Sequence, residues 1–180
     1  IAIIPARGGS KRLPRKNIYP IWGKPLLYWS IKAALDSRKI DAVWVTTEDD
    51  EIAEVAIKSG ANLFKRNPKL SDDNTYKMAA IRNCFNSIEF SGSAVISLQA
   101  NSPEVTGEML DEAIGLFFKY DRNELISVDK NLMMNAAFRI MRPWYVNQRE
   151  LSTKTGVFVC DVHDVHTIED IRFIEKRTTK

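Results

Sequence analysis

The chain has 180 residues, 44% of them hydrophobic, enough to bury a substantial core, and its length favours a single domain over residues 1–180. Its 26 basic and 23 acidic residues leave a net charge of +3, too balanced for a protein that coats nucleic acid or lies on a membrane surface. No segment approaches the ~18 apolar residues a bilayer span requires. The two cysteines, Cys84 and Cys160, exclude a disulfide framework and lack the paired spacing of a zinc site, so they read as reduced core thiols of a cytoplasmic protein.

In chain order, Ile1 to Pro5 is a short continuous apolar run that breaks at Pro5 and then Gly8-Gly9, the pattern of a buried parallel strand feeding a ligand-facing loop. Leu26, Leu27, Trp29, Ser30, Ala33 and Ala34 have helical spacing and close a first strand–helix unit. Ala42 to Thr46 predicts a second strand. The acids Glu48 to Glu51 then stand where a helix N-terminus favours negative charge, and Gly60 ends that helix. Asn62-Leu63-Phe64 suits a short third strand and 65–74 a polar loop, with Asp72-Asp73-Asn74 offering a cap to a helix over Met78 to Phe85. Ala94 to Leu98 predicts a buried strand, Gln99 to Pro103 a second ligand-facing loop, and Met109 to Tyr120 an amphipathic helix. Leu125 to Val128, Ala136 to Met141 and Gly156 to Cys160 predict later strands, and Ile168 to Lys176 a closing helix.

This alternation predicts an α/β fold: a doubly wound, mostly parallel sheet with right-handed crossovers and a ligand crevice at the strand carboxyl ends. Residues 129–152 fit it worst. Met133, Met134, Pro143, Trp144 and Tyr145 suggest a short dimerisation or substrate appendage there.

The loop Ala6 to Asn17 carries the strongest chemical signal. Adjacent glycines let the backbone approach an anion, and Arg7, Lys11, Arg12, Arg15 and Lys16 precede Asp36, the first acid of the chain. A polyphosphate matches that concentration of charge, whereas a solvated basic turn would not need a buried strand and two glycines in front of it. The loop is neither a Walker loop nor a dinucleotide fingerprint, because it lacks their Gly-Lys-Ser/Thr ending and their spaced glycines.

The run Ile3-Ile4-Pro5-Ala6-Arg7-Gly8-Gly9-Ser10-Lys11-Arg12, followed by Pro14 and Lys16-Asn17, resembles the acylneuraminate cytidylyltransferases, the CMP-sialic acid synthetases. The likeness extends through Gly23-Lys24-Pro25-Leu26, Thr46-Thr47-Glu48-Asp49, Phe64 to Pro68, Leu98 to Pro103 and Asp164 to Asp170, so it covers most of the chain. The resemblance implies a Rossmann-like nucleotidyltransferase fold and transfer of CMP from CTP to a sialic-acid-like or related 2-keto-3-deoxy acid, with Mg²⁺, pyrophosphate release and a homodimer. It assigns the nucleotide to Ala6, Arg7, Gly8, Gly9, Ser10, Lys11, Lys16 and Asn17, with Arg66 at the cytosine. Gln99, Asn101 and Ser102 would face the acceptor sugar. Arg7, Lys16, Asp164 and His166 would be the catalytic set.

Two departures from the family pattern stand out. Relatives carry Asp-x-Asp before the last helix, and this chain has Asp164 and His166. Imidazole is a poor magnesium ligand, which leaves the metal to Asp164 and frees His166 to take the attacking hydroxyl's proton or to contact phosphate. Asp161 and His163 offer the same pairing in another register. The stretch between Val128 and Gly156 is also abbreviated, leaving Lys130, Arg139 and Arg142 as candidates for an acceptor carboxylate. Other readings are a nucleotidyltransferase acting on a different sugar or sugar phosphate, and a nucleotide-binding homologue without activity.

Overall fold

The computed structural model describes residues 1–72, 76–150 and 152–177. Its main sheet uses β1 (Ala2–Pro5), β4 (Val43–Thr47), β5 (Asn62–Lys65), β6 (Val95–Leu98), β7 (Glu124–Val128), β8 (Met134–Met141) and β9 (Thr155–Val159). Around it run α1 (Leu26–Asp36), α2 (Asp50–Lys58), α3 (Lys77–Ser87), α4 (Gly107–Lys119) and α5 (Ile168–Arg177). The strand order is β5-β4-β1-β6-β8-β7-β9. Every neighbouring pair is parallel except the two that involve β8, which runs antiparallel to both β6 and β7.

Both faces of the sheet are covered, which is why its strands read as nearly unbroken apolar runs. Ala2 and Ile4, Val43 and Val45, and Ile96 and Leu98 pack with Leu27 and Ile31 of α1, Ile52 and Ala56 of α2, and Leu110, Ile114 and Phe117 of α4. Ile3 and Val95 belong to a second cluster with Met78, Ile81 and Cys84 of α3. The acids after β4 act as expected: Asp49 is the N-cap of α2, its Oδ1 accepting the Ile52 amide at 3.0 Å. The helix after the polar loop begins at Lys77 with Tyr76 as N-cap and no side-chain capping bond; of the expected cap residues, Asp73 and Asn74 lie outside the described residues. Among the described residues, no helix is long and apolar enough to cross a membrane.

Residues 129–152 do not form a separate body. β8 lies inside the sheet between β6 and β7, and Tyr145 and Val146 are buried in the cluster under α3. The aromatic content that reads as an interface is partly core: the Tyr145 hydroxyl donates to the buried Glu124 carboxylate at 3.0 Å. The structure also contains a small hairpin of β2 (Pro20–Ile21) and β3 (Lys24–Pro25) inside the basic segment. Its turn residues Trp22 and Gly23 have φ of 50° and 74°, as a tight hairpin turn requires.

Helices α1 and α4 meet end to end. The Asp111 carboxylate accepts from the Ser37 hydroxyl at 2.6 Å and the Arg38 amide at 3.2 Å, closing the C-terminus of α1. A Cβ on Gly107 would stand 2.8 Å from the carbonyl carbon of Asp36 and 2.9 Å from the Ser37 nitrogen, both backbone atoms that cannot swing aside. Gly107→Ala is therefore expected to cost about 1–3 kcal/mol through overpacking. A thermal melt matching wild type would show that the helices separate freely.

Candidate active site

A third cluster brings the chain ends together. Leu13, Ile21 and Leu26 from the basic segment pack with Val165, Ile171 and Ile174 from the last segment, which fixes α5 against the loop after β1. Beside this packing a cleft of about 500 Å³ opens past the carboxyl ends of β1 and β6. Its wall includes Arg7, Ser10, Lys11, Arg12, Lys16 and Asn17 from the first loop, and Arg66 and Ser71 from the segment after β5. Lys77 and Ala80 come from α3, Gln99 and Asn101 from the loop after β6, and His166 from the approach to α5.

Several of these side chains are held in place by backbone groups. Asn17, buried, donates from Nδ2 to the Arg7 carbonyl at 2.9 Å. Lys16 Nζ donates to the Val165 carbonyl at 3.1 Å, and Asn101 Nδ2 reaches the same carbonyl at 3.2 Å. Arg7 Nη1 spans the cleft mouth to the carbonyls of Ser71 at 3.4 Å and Asp72 at 3.1 Å. Burial, and then the Arg12 charge, push the Lys16 ammonium below its ordinary pKa.

The loop glycines differ in purpose. A Cβ on Gly8 would fall 2.4 Å from Asp49 Oδ2, so Gly8 is demanded by its packing on the α2 cap, whereas Gly9 faces open space. The Gly8 amide donates to Glu48 Oε1 at 2.8 Å, and the Ser10 amide folds back on the Gly8 carbonyl at 3.1 Å. Those two amides are thus spent within the protein, and charge on the side chains must do most of the anion binding. Arg15 is spent as well: it forms ion pairs with Asp49 at 2.5 Å and Glu51 at 2.9 Å.

The segment before α5 places the two candidate Asp–His pairs differently. Asp164, half-buried, accepts the Ser102 hydroxyl on Oδ1 at 2.5 Å, and Lys16, Lys77 and His166 surround it closely enough to act on its charge. Burial pushes its carboxyl above the usual range against the pull of Ser102 and of these cations. His163 turns away to Asp170, with Nε2 and Oδ1 2.6 Å apart, and Asp161 is exposed. Asp170 caps the start of α5, accepting the amides of His166 at 2.9 Å and Thr167 at 2.8 Å. Ser102 is fully buried, and its hydroxyl orients Asp164 instead of facing the cleft.

His166 lies 3.0 Å from Arg12, Nδ1 to Nη2. A guanidinium only donates, so Nδ1 is the acceptor and the ring proton sits on Nε2. Burial and the Lys16 and Arg12 charges lower the His166 pKa, keeping the ring neutral at pH 7. In this geometry the ring has a donor to offer, suited to a phosphate oxygen.

Among the described residues, no group of three His, Cys, Asp or Glu could cage a metal. Magnesium needs no such cage, since it commonly binds through one or two carboxylates plus substrate phosphates and keeps several waters. Asp164 does not itself line the cleft and has Oδ1 on Ser102, which leaves Oδ2 as the one oxygen it could offer an ion arriving with a polyphosphate. The candidates for an acceptor carboxylate fare less well. Arg139 is committed to the buried Glu124 at 2.5 Å, Arg142 pairs with Asp121 at 3.0 Å while lying over Phe117 and Phe118, and Lys130 is exposed on the turn after β7. Sequence reasoning missed Lys77, which carries no motif, and Ser71. It placed Glu48 among helix-start acids and in a family motif, without a role of its own.

A cationic cleft at the carboxyl edge of a mostly parallel sheet marks an α/β protein with a site suited to a polyanion. The cytidylyltransferase family model matches residues 1–160, and the chain belongs to that family. N-acylneuraminate cytidylyltransferase A of Danio rerio is 40% identical over 127 residues, which is 71% of this chain and 29% of that protein. Pseudaminic acid cytidylyltransferase of Campylobacter jejuni is 36% identical over 152 residues, 82% of this chain and 63% of that one. The chain thus spans less than two thirds of the length of these relatives. Among solved structures, CMP:2-keto-3-deoxy-manno-octonic acid synthetase in complex with CTP superposes with a TM-score of 0.80 at 15% identity, covering 98% of both chains, a likeness of fold. The family match ends before Asp164 and His166, so their assignment rests on geometry and local motif.

Proposed function

We propose that this chain transfers CMP from CTP to a sugar acid, of the sialic-acid or 2-keto-3-deoxy type, with release of pyrophosphate. The observation that carries the reading is the cleft wall, where Arg7, Lys11, Arg12, Lys16, Arg66 and Lys77 gather around a space that, among the described residues, holds one acid, Asp72. The names of the relatives supply the base and the acceptor class.

In the proposed reaction the acceptor hydroxyl attacks the α-phosphorus in line, a new oxygen–phosphorus bond forms, the bond from the α-phosphorus to the α,β-bridging oxygen breaks to release pyrophosphate, and the hydroxyl proton passes to solvent water. Such a step consists largely of positioning and charge neutralisation. Arg7, Ser10, Lys11 and Lys16 hold the triphosphate and take up the charge that grows on the departing pyrophosphate. His166 donates from Nε2 to a phosphate oxygen. Arg66 reads the cytosine edge, Asn17 holds the loop in register, and Gln99 and Asn101 meet the acceptor hydroxyls. Asp164 would hold Mg²⁺, which supplies further neutralisation across the phosphates when bound.

A homodimer belongs to the same reading. Its support is apolar surface on one end of the sheet: Leu132, Met133 and Met134 before and at the start of β8, and Val157 and Val159 on the edge strand β9, all more than half exposed. Two unpaired, buried cysteines support a reducing, cytoplasmic setting. The balanced charge gives nucleic acid no part in it.

The test is pyrophosphate release from CTP and Mg²⁺ with a panel of eight- and nine-carbon sugar acids, with ATP, GTP and UTP as controls. Release that requires CTP and one acid is the expected result. Release with another nucleotide or a sugar phosphate would transfer the chain to a different nucleotidyltransferase activity. CTP binding without release for any acceptor would mark a nucleotide-binding homologue.

A further inference from the structure

Glu48 sits between β4 and the cap of α2, outside the cleft wall, yet its carboxylate touches both ends of the nucleotide site. Oε1 accepts the Gly8 amide of the triphosphate loop at 2.8 Å. Oε2 accepts Arg66 Nη2 at 2.9 Å and the Ser71 hydroxyl at 2.6 Å. Arg66 Nε donates in turn to the Ser71 hydroxyl at 2.7 Å, and its own amide is anchored to the Thr47 carbonyl at 3.0 Å. Ser71 is tied on its other side as well, because its carbonyl receives Arg7. The circuit therefore runs from Gly8 through Glu48 to Arg66 and Ser71, and back through Arg7 to the residue before Gly8.

The Arg66 side chain is 3% exposed and that of Glu48 16%, so the pair is screened from water, and each partner holds the other in one orientation. Burial alone would raise the Glu48 carboxyl, but the bonds from Ser71 and Gly8 and the Arg66 charge outweigh it and keep it ionised. A fork-shaped guanidinium fixed on one edge presents its remaining donors only in set directions.

We propose that Glu48 is a positioning residue that couples base recognition at Arg66 to triphosphate binding at the Gly8 loop. The inference rests on the nucleotide reading given above. When the loop closes on a triphosphate, Gly8 pulls on Oε1, and the same carboxylate sets the angle at which Arg66 meets the base. Discrimination between cytosine and uracil is then sharper for a triphosphate than for a monophosphate.

The experiment is calorimetric titration of the full chain with CTP, UTP, CMP and UMP, for wild type and Glu48→Gln. Glutamine keeps an acceptor for Gly8 and turns a donor toward Arg66. Wild type is expected to prefer CTP over UTP by a larger factor than CMP over UMP. In Glu48→Gln, CTP binding should weaken at least tenfold and the two preferences should become equal. A purely structural Glu48 would lower the melting temperature and weaken all four ligands alike, leaving the gap between the preferences intact, and that result would overturn the proposal. If Glu48→Gln does not fold, Ser71→Ala, which removes the shared hydroxyl and keeps the charges, should narrow the gap in the same direction; an unchanged gap there overturns it too. A wild type that binds no CTP would remove the nucleotide reading itself, and the coupling with it.

Discussion

Lys16→Ala is expected to lower pyrophosphate release by about 10²- to 10³-fold, the range measured when one preorganised donor to a developing charge is lost. The ammonium is half-buried, directed by the Val165 carbonyl, and burdened by burial and by Arg12. In the free protein these features destabilise its charge; opposite a triphosphate they make the same charge worth more than it would be in water. The melting temperature should therefore change little while turnover collapses. Steady-state rates beside a thermal melt decide it, and a variant within threefold of wild type would take Lys16 out of the mechanism.

Asp164→Asn should also cost a hundredfold or more in turnover, about the several kcal/mol that a metal's charge neutralisation provides. Its stability should move the other way. Because the folded state raises the Asp164 pKa, ionisation at neutral pH works against folding, so removing the charge leaves the melting temperature level or higher. Asparagine can still accept the Ser102 hydroxyl, so the local geometry survives. A titration of rate against Mg²⁺ should show the wild type saturating at lower concentration than the variant, and chelation should silence both. Equal metal dependence in the two proteins would remove Asp164 as the ligand.

Much of the sheet was legible because strands buried on both faces leave uninterrupted apolar runs, and β1, β4 and β6 match theirs within a residue or two. Strand direction was not legible. The run over β8 has the same local pattern whichever way it points, so its antiparallel insertion between β6 and β7 could not be read, and the neighbouring aromatics passed for an appendage. The first loop's concentration of charge was legible from its composition; the partition of that charge came only from the family resemblance, which named Lys16 and not Arg15. Arg15 and Lys16 are adjacent and alike in charge; the placement of Asp49 and Glu51 commits the first to ion pairs and leaves the second on the cleft wall. Glu48 and Ser71 were hidden for the same reason, since each acts through a partner distant in sequence. The choice of Asp164 over Asp161 needed Ser102, 62 residues away.

The cleft is built from opposite ends of the chain: Arg12 meets His166 across 154 residues and Lys16 meets the Val165 carbonyl across 149. During synthesis the loop after β1 leaves the ribosome before α5, and the contacts between them wait until α5 follows. Contacts of such long sequence separation form late, so a ligand that needs both segments would stabilise the fold only after they have met. A nascent chain halted before Ile168 would carry the loop's basic residues without the segment that turns them into a site.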